Sequence, residues 1–216
     1  MTIEETGWFV SVPIASFRTP RAREYLETLA VPPPATVYGM LCAVIGEPNR
    51  FVHIGAQVAV GVIGESARSR VLRTSWRIKN AGTPQGLGEN KRPDFQELLT
   101  GVRLAVFVRT GHDRASPVLA ERIAAAMAAP ASVRRFGGLC LGDSTALVDE
   151  FRPLRDSDLS AMAGHWLVAS PTGQLALPVW ADHVSGAGTR WGQFAQEPMA
   201  SNLEPPETAW VTIEPP

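Results

Sequence analysis

The apolar residues of this chain repeat with a period that switches from two to nearly four and back, and the order of those switches restricts the folds open to it. Trp8 to Ala15 alternates, with Val10, Val12 and Ile14 on one face, and predicts a core strand. The proline block Pro32 to Pro34 bars helix immediately upstream. Thr36 stands where it can cap a following helix, whose Val37, Leu41 and Val44 recur at i, i+4 and i+7 until Gly46 ends it. Phe51 to Ile63, rich in Val and Ile, and Arg70 to Lys79 predict two further strands, suited to a hairpin through Gly64 to Ser69. Asn80 to Asn90 is a run of turn formers with no apolar period and predicts a long loop or arm, the first place to look for a ligand. Val102, Leu104, Val106 and Val108 predict another strand, and Ser116 with Pro117 opens a helix showing Leu119, Ile123 and Met127 on one face.

The order β, α, β, β, β, α, completed by a strand around Leu139 to Leu141 or after it, predicts an α+β, ferredoxin-like domain. We expect it over residues 1–155, with an arm at about 80–95. From His165 onward short apolar pieces alternate with Pro, Gly and Ser, so residues 156–216 are expected to form an irregular β-rich extension packed on that domain. With 216 residues, 45% apolar and 19% charged, the chain has material for a real core, which excludes disorder as its main state. No window approaches the roughly 18 consecutive apolar residues of a bilayer helix, and Met1 to Gly7 is acidic and polar, so a cytoplasmic protein without membrane attachment is expected. Cys42 and Cys140 lie far apart and outside any C-x-x-C pair, which excludes a disulfide scaffold or zinc ribbon and suits two small buried side chains.

The formal net charge of −1 conceals an asymmetry. Residues 1–136 carry 17 Arg and Lys against 11 Asp and Glu, whereas residues 137–216 carry 3 against 10. Eighteen of these cations are arginine, the side chain that forks onto phosphate and stacks on bases. A GC-rich genome yields the same bias, so the enrichment matters only where it clusters.

It clusters first in residues 68–92, with seven cations and one acid, Glu89. Alternation there places Arg73, Arg77 and Lys79 with Val71 and Ser75 on one face, and Leu72, Thr74, Trp76 and Ile78 on the other. A basic strand feeding a Gly-rich arm, with Trp76 available for stacking, suits a phosphate backbone; the plainer alternative is a solvated sheet face. A second cluster, Arg18, Arg21 and Arg23, precedes the first helix, whose amides near Thr36 can join the arginines around an anion. Phe136 to Ser144 contains Gly137, Gly138 and Gly142, which permit close backbone approach but match no phosphate-binding loop. His53, His112, His165 and His183 are isolated, no metal or cofactor is implied, and Ser144 lacks a G-x-S-x-G frame.

Read as one string, Phe17 to Leu41, with its arginine segment, proline run, Thr36, Tyr38 and Gly39 and a helix ending in Val44-Ile-Gly46, resembles the N-terminal signature of the CRISPR-associated Cas five family. It is most similar to the DevS-type branch of type I systems. Asn90 to Leu98 and Gly138 to Ser144 resemble later family motifs. The resemblance implies a ferredoxin-like (RRM-type, RAMP) domain with a thumb, acting in a Cascade surveillance complex that holds the 5′ handle of the CRISPR RNA (crRNA). It further implies contacts with a Cas seven backbone subunit and a Cas eight large subunit, with target DNA met only through the complex. On this reading the RNA contacts are Arg18, Arg21, Arg23, Thr36, Tyr38, Arg73, Trp76, Arg77, Lys79, Asn80, Lys91, Arg92, Gly137 and Gly138. A non-catalytic role is expected. The rival is a nuclease branch that cleaves precursor RNA with Tyr, Lys and His; Lys79 and Lys91 have no neighbouring histidine, and His53 is the one histidine left on the RNA side. A more distant alternative is an unrelated RNA-binding domain of the same fold.

Overall fold

In the computed structural model, described over residues 6–19, 25–160, 163–200 and 204–216, the alternating segments pair into one mostly antiparallel sheet with few helices. The first elements are β1 (Thr6–Ala15), β2 (Tyr25–Leu26), α1 (Pro34–Val44), β3 (Gln57–Ile63), β4 (Ala67–Trp76), β5 (Lys91–Arg109) and α2 (Leu119–Ala128). They are followed by β6 (Glu150–Pro153), α3 (Asp156–Ser160), β7 (Gly164–Ala169), β8 (Leu175–Trp180), β9 (Arg190–Pro198) and β10 (Val211–Thr212). The strands run β6-β1-β5-β3-β7-β9-β8 across the sheet, with β10 added to β3, and β2 and β4 added to β5.

Period-two alternation delivers both faces. Val10 and Val12 of β1, Val58 and Val60 of β3, and Val102, Leu104, Val106 and Val108 of β5 join the core that Val37, Leu41 and Val44 of α1 and Leu119 and Ile123 of α2 complete. Phe9, Ala59, Ala105 and Phe107 point the other way and are buried with Trp166 and Trp210. Helix α1 is apolar almost all round, which suits a helix enclosed on several sides. Its second cover comes from β8, whose Trp180 ring lies 6.4 Å from that of Tyr38.

Several expectations need correction. Ile14 is half exposed, because β1 has by then reached Thr100, where the sheet gives way to the arm. Helix α1 starts at Pro34, inside the proline block: a residue at the first helical position needs no amide hydrogen, so Pro is tolerated there and Thr36 caps nothing. The strand expected from Phe51 begins only at Gln57. β3 and β4 form no hairpin, since β3 pairs with β5 and β7 while β4 pairs with β5 alone. Helix α2 begins at Leu119, where the Asp113 carboxylate accepts the Leu119 N–H at 2.9 Å and Glu121 accepts that of Val118 at 3.2 Å. Leu139 to Leu141 contributes a single bridge, Cys140 to Leu147, and the strand beside β1 is β6. Cys140 is partly exposed, unlike Cys42. The C-terminal third is β-rich but regular: β7 joins β3 in register Gly61 to Trp166, and β9 and β8 continue the same sheet. Among the described residues no helix is long and apolar enough to cross a membrane.

Two outcomes follow from this packing. Leu104 is fully buried at the centre of the sheet, so Leu104→Ala should destabilise the fold by about 2–5 kcal/mol, read as a lower urea midpoint with an unchanged slope. Glu47 and Asp158 are held below their ordinary carboxyl values chiefly by the Arg122 and Arg152 guanidiniums that donate to them. A depressed folded-state value means that the unfolded chain binds more protons in acid. Their stabilisation is therefore complete above the ordinary carboxyl range, fades below it and is gone once pH has fallen through the depressed folded-state values, so the urea midpoint should already be lower at about pH 3.5 than at neutral pH.

Candidate nucleic-acid interface

The first half of β5 leaves the sheet as an arm. β4 pairs along it from Ala67 opposite Thr100 to Trp76 opposite Lys91, and β2 pairs on its other edge, Tyr25 beside Phe95. Gly64 and Gly101 flank the root with φ of +69° and +71°, a conformation that costs glycine little. Leu72, Trp76, Ile78 and Phe95 are each more than half exposed, so the apolar side of the arm rests on no core. The expected division into a basic and an apolar face holds only in part, because the alternation of β4 itself places Arg68 and Arg70 on the same side as Leu72 and Trp76.

Acids outside the 68–92 window meet several of its cations. Glu97 takes Arg68 at 2.8 Å and Arg70 at 3.6 Å, Asp94 takes Arg92 at 2.8 Å, and Arg73 donates to the Gln96 amide oxygen. Lys79 pairs with Glu89 at 3.5 Å, and Arg77 donates to the Glu89 carbonyl at 3.3 Å.

The arm tip is organised by one buried amide. Asn90 Oδ1 accepts the backbone N–H groups of Lys79 (2.8 Å) and Asn80 (2.9 Å), while its Nδ2 donates to the carbonyls of Asn80 (2.8 Å) and Thr83. The Asn80 side chain accepts the N–H of Gly82 at 2.8 Å. Trp76 folds back over Gly86, where an added Cβ would lie 2.8 Å from the indole. Gly, Pro and Asn content alone gave no reason to expect this frame.

Three predicted residues from distant parts of the chain meet at the root of the arm. Arg18, Thr36 and Arg73 line a cleft of about 420 Å³ with Ser16, Gln96, Gly142 and Asp143. Gly142 is required there, because a Cβ would fall 2.9 Å from the Ser16 carbonyl oxygen. Gly137 and Gly138 lie elsewhere, in a cleft of about 480 Å³ shared with Gly39, Gly46, Arg134 and Arg135. There Arg135 donates to the Val44 carbonyl (3.1 and 2.9 Å) at the end of α1. Lys91 is exposed beside Trp76 at the outer end of the ladder. Arg21 and Arg23 lie outside the described residues.

Tyr38 does not belong to this surface: it is buried under Trp180 and donates its hydroxyl to the Arg50 carbonyl at 2.6 Å, and burial pushes its phenol well above the usual range. A face of α1 covered from both sides was not visible in a local pattern. His53 is also fully buried. Arg122 donates to its Nε2 at 2.9 Å, and since arginine only donates, the ring proton sits on Nδ1 and goes to Asp113 at 2.8 Å. This chain from Arg122 to Asp113 ties α2 to the turn before β3 and places His53 away from solvent. The side chains that the sequence reading missed are Asp94, Gln96 and Glu97. Their signal was their position in the strand opposite an arginine-rich one. Among the described residues no group of three or more His, Cys, Asp and Glu is placed to hold a metal ion.

The fold is that of CRISPR-associated proteins. The chain is similar to a protein of a solved "CRISPR RNA-guided surveillance complex", with a TM-score of 0.63 at 15% identity over 89% of this chain and 90% of that one. A "Crystal structure of Cas protein" matches with a TM-score of 0.51 at 14% identity, covering 90% and 94%. The profile described as CRISPR-associated protein (Cas_Cas5) matches residues 9–171. The CRISPR-associated protein Cas5 of Myxococcus xanthus (strain DK1622) is 44% identical over 183 residues, 84% of this chain and 85% of that protein. The chain belongs to the Cas5 family.

Two substitutions separate arm from core. Asn90→Ala strands the Lys79 and Asn80 amides and should speed hydrogen exchange across residues 77–90 while leaving the thermal midpoint unchanged, because the tip supports no core. His53→Ala should instead lower the thermal midpoint and leave arm exchange as it was.

Proposed function

We propose that this Cas5 protein is a non-catalytic subunit of a type I Cascade surveillance complex, of the DevS-type branch, that binds and caps the 5′ handle of the crRNA. In that role it anchors the Cas seven backbone subunit and the Cas eight large subunit, and target DNA meets it only through the complex. The observation that carries the reading is the convergence of Arg18, Thr36 and Arg73 on one cleft at the root of an arm bearing Arg77, Lys79, Lys91 and Arg92. Cations at a cleft and along a projecting ladder suit a single strand that passes over the root, bound through phosphates. The exposed Leu72, Trp76 and Phe95 supply apolar surface for unstacked bases or for a neighbouring subunit.

The order β6-β1-β5-β3, with α1 between β1 and β3 and α2 between β5 and β6, supports the ferredoxin-like reading. The similarity to a chain from an RNA-guided surveillance complex supports assembly with crRNA. A binding role is favoured over the Tyr, Lys and His chemistry of the nuclease branch because the root cleft is lined by no His, Lys or Tyr among the described residues. The Tyr25 hydroxyl is already engaged, donating to Glu97 at 2.8 Å.

Charge reversal tests the placement. Arg73→Glu with Arg77→Glu should weaken binding to RNA carrying the repeat-derived 5′ tag and flatten its salt dependence by about 0.7 per lost phosphate contact. Arg114→Glu, in the loop before α2, should leave both unchanged. Equal losses for the two variants in a gel-shift titration would refute this interface. In the same assays the purified chain should leave repeat RNA uncut, with or without divalent metal.

A further inference from the structure

Glu97 is the most heavily engaged carboxylate of the arm, and the RNA contacts proposed above do not use it. It is 4% exposed. One oxygen accepts the Tyr25 hydroxyl at 2.8 Å and faces Arg70 at 3.6 Å; the other accepts Arg68 at 2.8 Å and the Thr28 N–H at 3.3 Å. These partners draw its carboxyl below the usual range, the Tyr25 hydroxyl first. Thr28 passes the anchor on, since its hydroxyl accepts the Phe17 N–H at 2.8 Å and its backbone bridges Arg18. The Arg70 guanidinium also sits 5.6 Å from the Tyr25 ring. One buried group therefore joins β5, β2 and the strand end carrying Arg18, while occupying two guanidiniums whose side chains remain 44% and 67% exposed.

We infer that Glu97 is a positioning residue that sets RNA selectivity: it fixes the arm against the Arg18 wall of the cleft and restrains Arg68 and Arg70 from binding phosphate indiscriminately. This rests on the RNA-binding reading above. A buried carboxylate at this point costs desolvation, which its charged and neutral donors offset together. Two further mobile arginines at the root would raise affinity for every RNA alike, because phosphate contacts carry no sequence information. Holding them on Glu97 gives up some charge and leaves binding to depend on where Arg18, Arg73 and the arm stand relative to one another.

Glu97→Gln separates these effects. The amide can still donate to the Tyr25 oxygen and accept from Thr28, so the neutral bonds persist while the ionic hold on Arg68 and Arg70 is lost. Binding of two RNAs is compared, one carrying the repeat-derived 5′ tag and a scrambled one of equal length. The variant should bind the scrambled RNA more tightly, with a salt slope steeper by about 1.4 for two released cations, and its preference for the tag should fall severalfold. Adding Arg68→Gln and Arg70→Gln to Glu97→Gln should restore the original slope. Parallel weakening for both RNAs, or no change in slope and preference, overturns the inference. If the unsubstituted chain binds neither RNA, the RNA reading itself fails. Hydrogen exchange then still decides the anchor: Glu97→Ala, which removes the acceptor of the Thr28 N–H, must speed exchange at Thr28, and unchanged exchange overturns it.

Discussion

Strand β5 is hydrogen-bonded along both edges, and the rest of the molecule is arranged by how those edges are shared. Its C-terminal half takes β1 and β3 and lies between two apolar layers; its N-terminal half takes β4 and β2, and there only Leu99, at the root, reaches the core. One run of 19 residues thus serves as the centre of a domain and as the inner rail of an arm. The arm is a direct extension of a central core strand, joined through backbone hydrogen bonds rather than by a linker. Gly101 lies where the two regimes meet.

The absence of a core under the arm explains its chemistry. With little apolar burial to stabilise it, the ladder depends on cross-strand ion pairs and on one asparagine at its tip. Those devices set how much charge the arm presents: Glu97 engages Arg68 and Arg70 near the root and Asp94 engages Arg92 farther out, whereas Lys91 stands exposed. The charge available to a ligand is smaller and more directed than the count of cations in residues 68–92 suggests.

The parts of this architecture legible in the sequence are those encoded by neighbours. Val10 and Val12, the α1 face of Val37, Leu41 and Val44, and the alternation from Val102 to Val108 all pack as their periods require, because side-chain direction in a strand or helix is a local property. The arm was visible as a break in period, but its extent was not: β4 reads as an ordinary sheet strand, and only its pairing with β5 alone shows that it projects. The basic clusters were visible, their neutralising acids were not, since Glu97 lies across a strand pair from Arg68 and Arg70, and Asp94, beside Arg92 in β5, falls just beyond the arginine-rich window.

What the sequence determined by itself was the succession of strands and helices, the arginine-rich first half and the family signature from Phe17 to Leu41, all of which depend on order along the chain. Only the tertiary structure decided that Tyr38 and His53 are interior, and that Arg18, Thr36 and Arg73 share a cleft while Gly137 and Gly138 line another. Burial and convergence are set by which surfaces cover which. The C-terminal strands curl over α1, and β5 carries the arm back toward the end of β1. Both events join residues far apart in the chain, so no local pattern contains them.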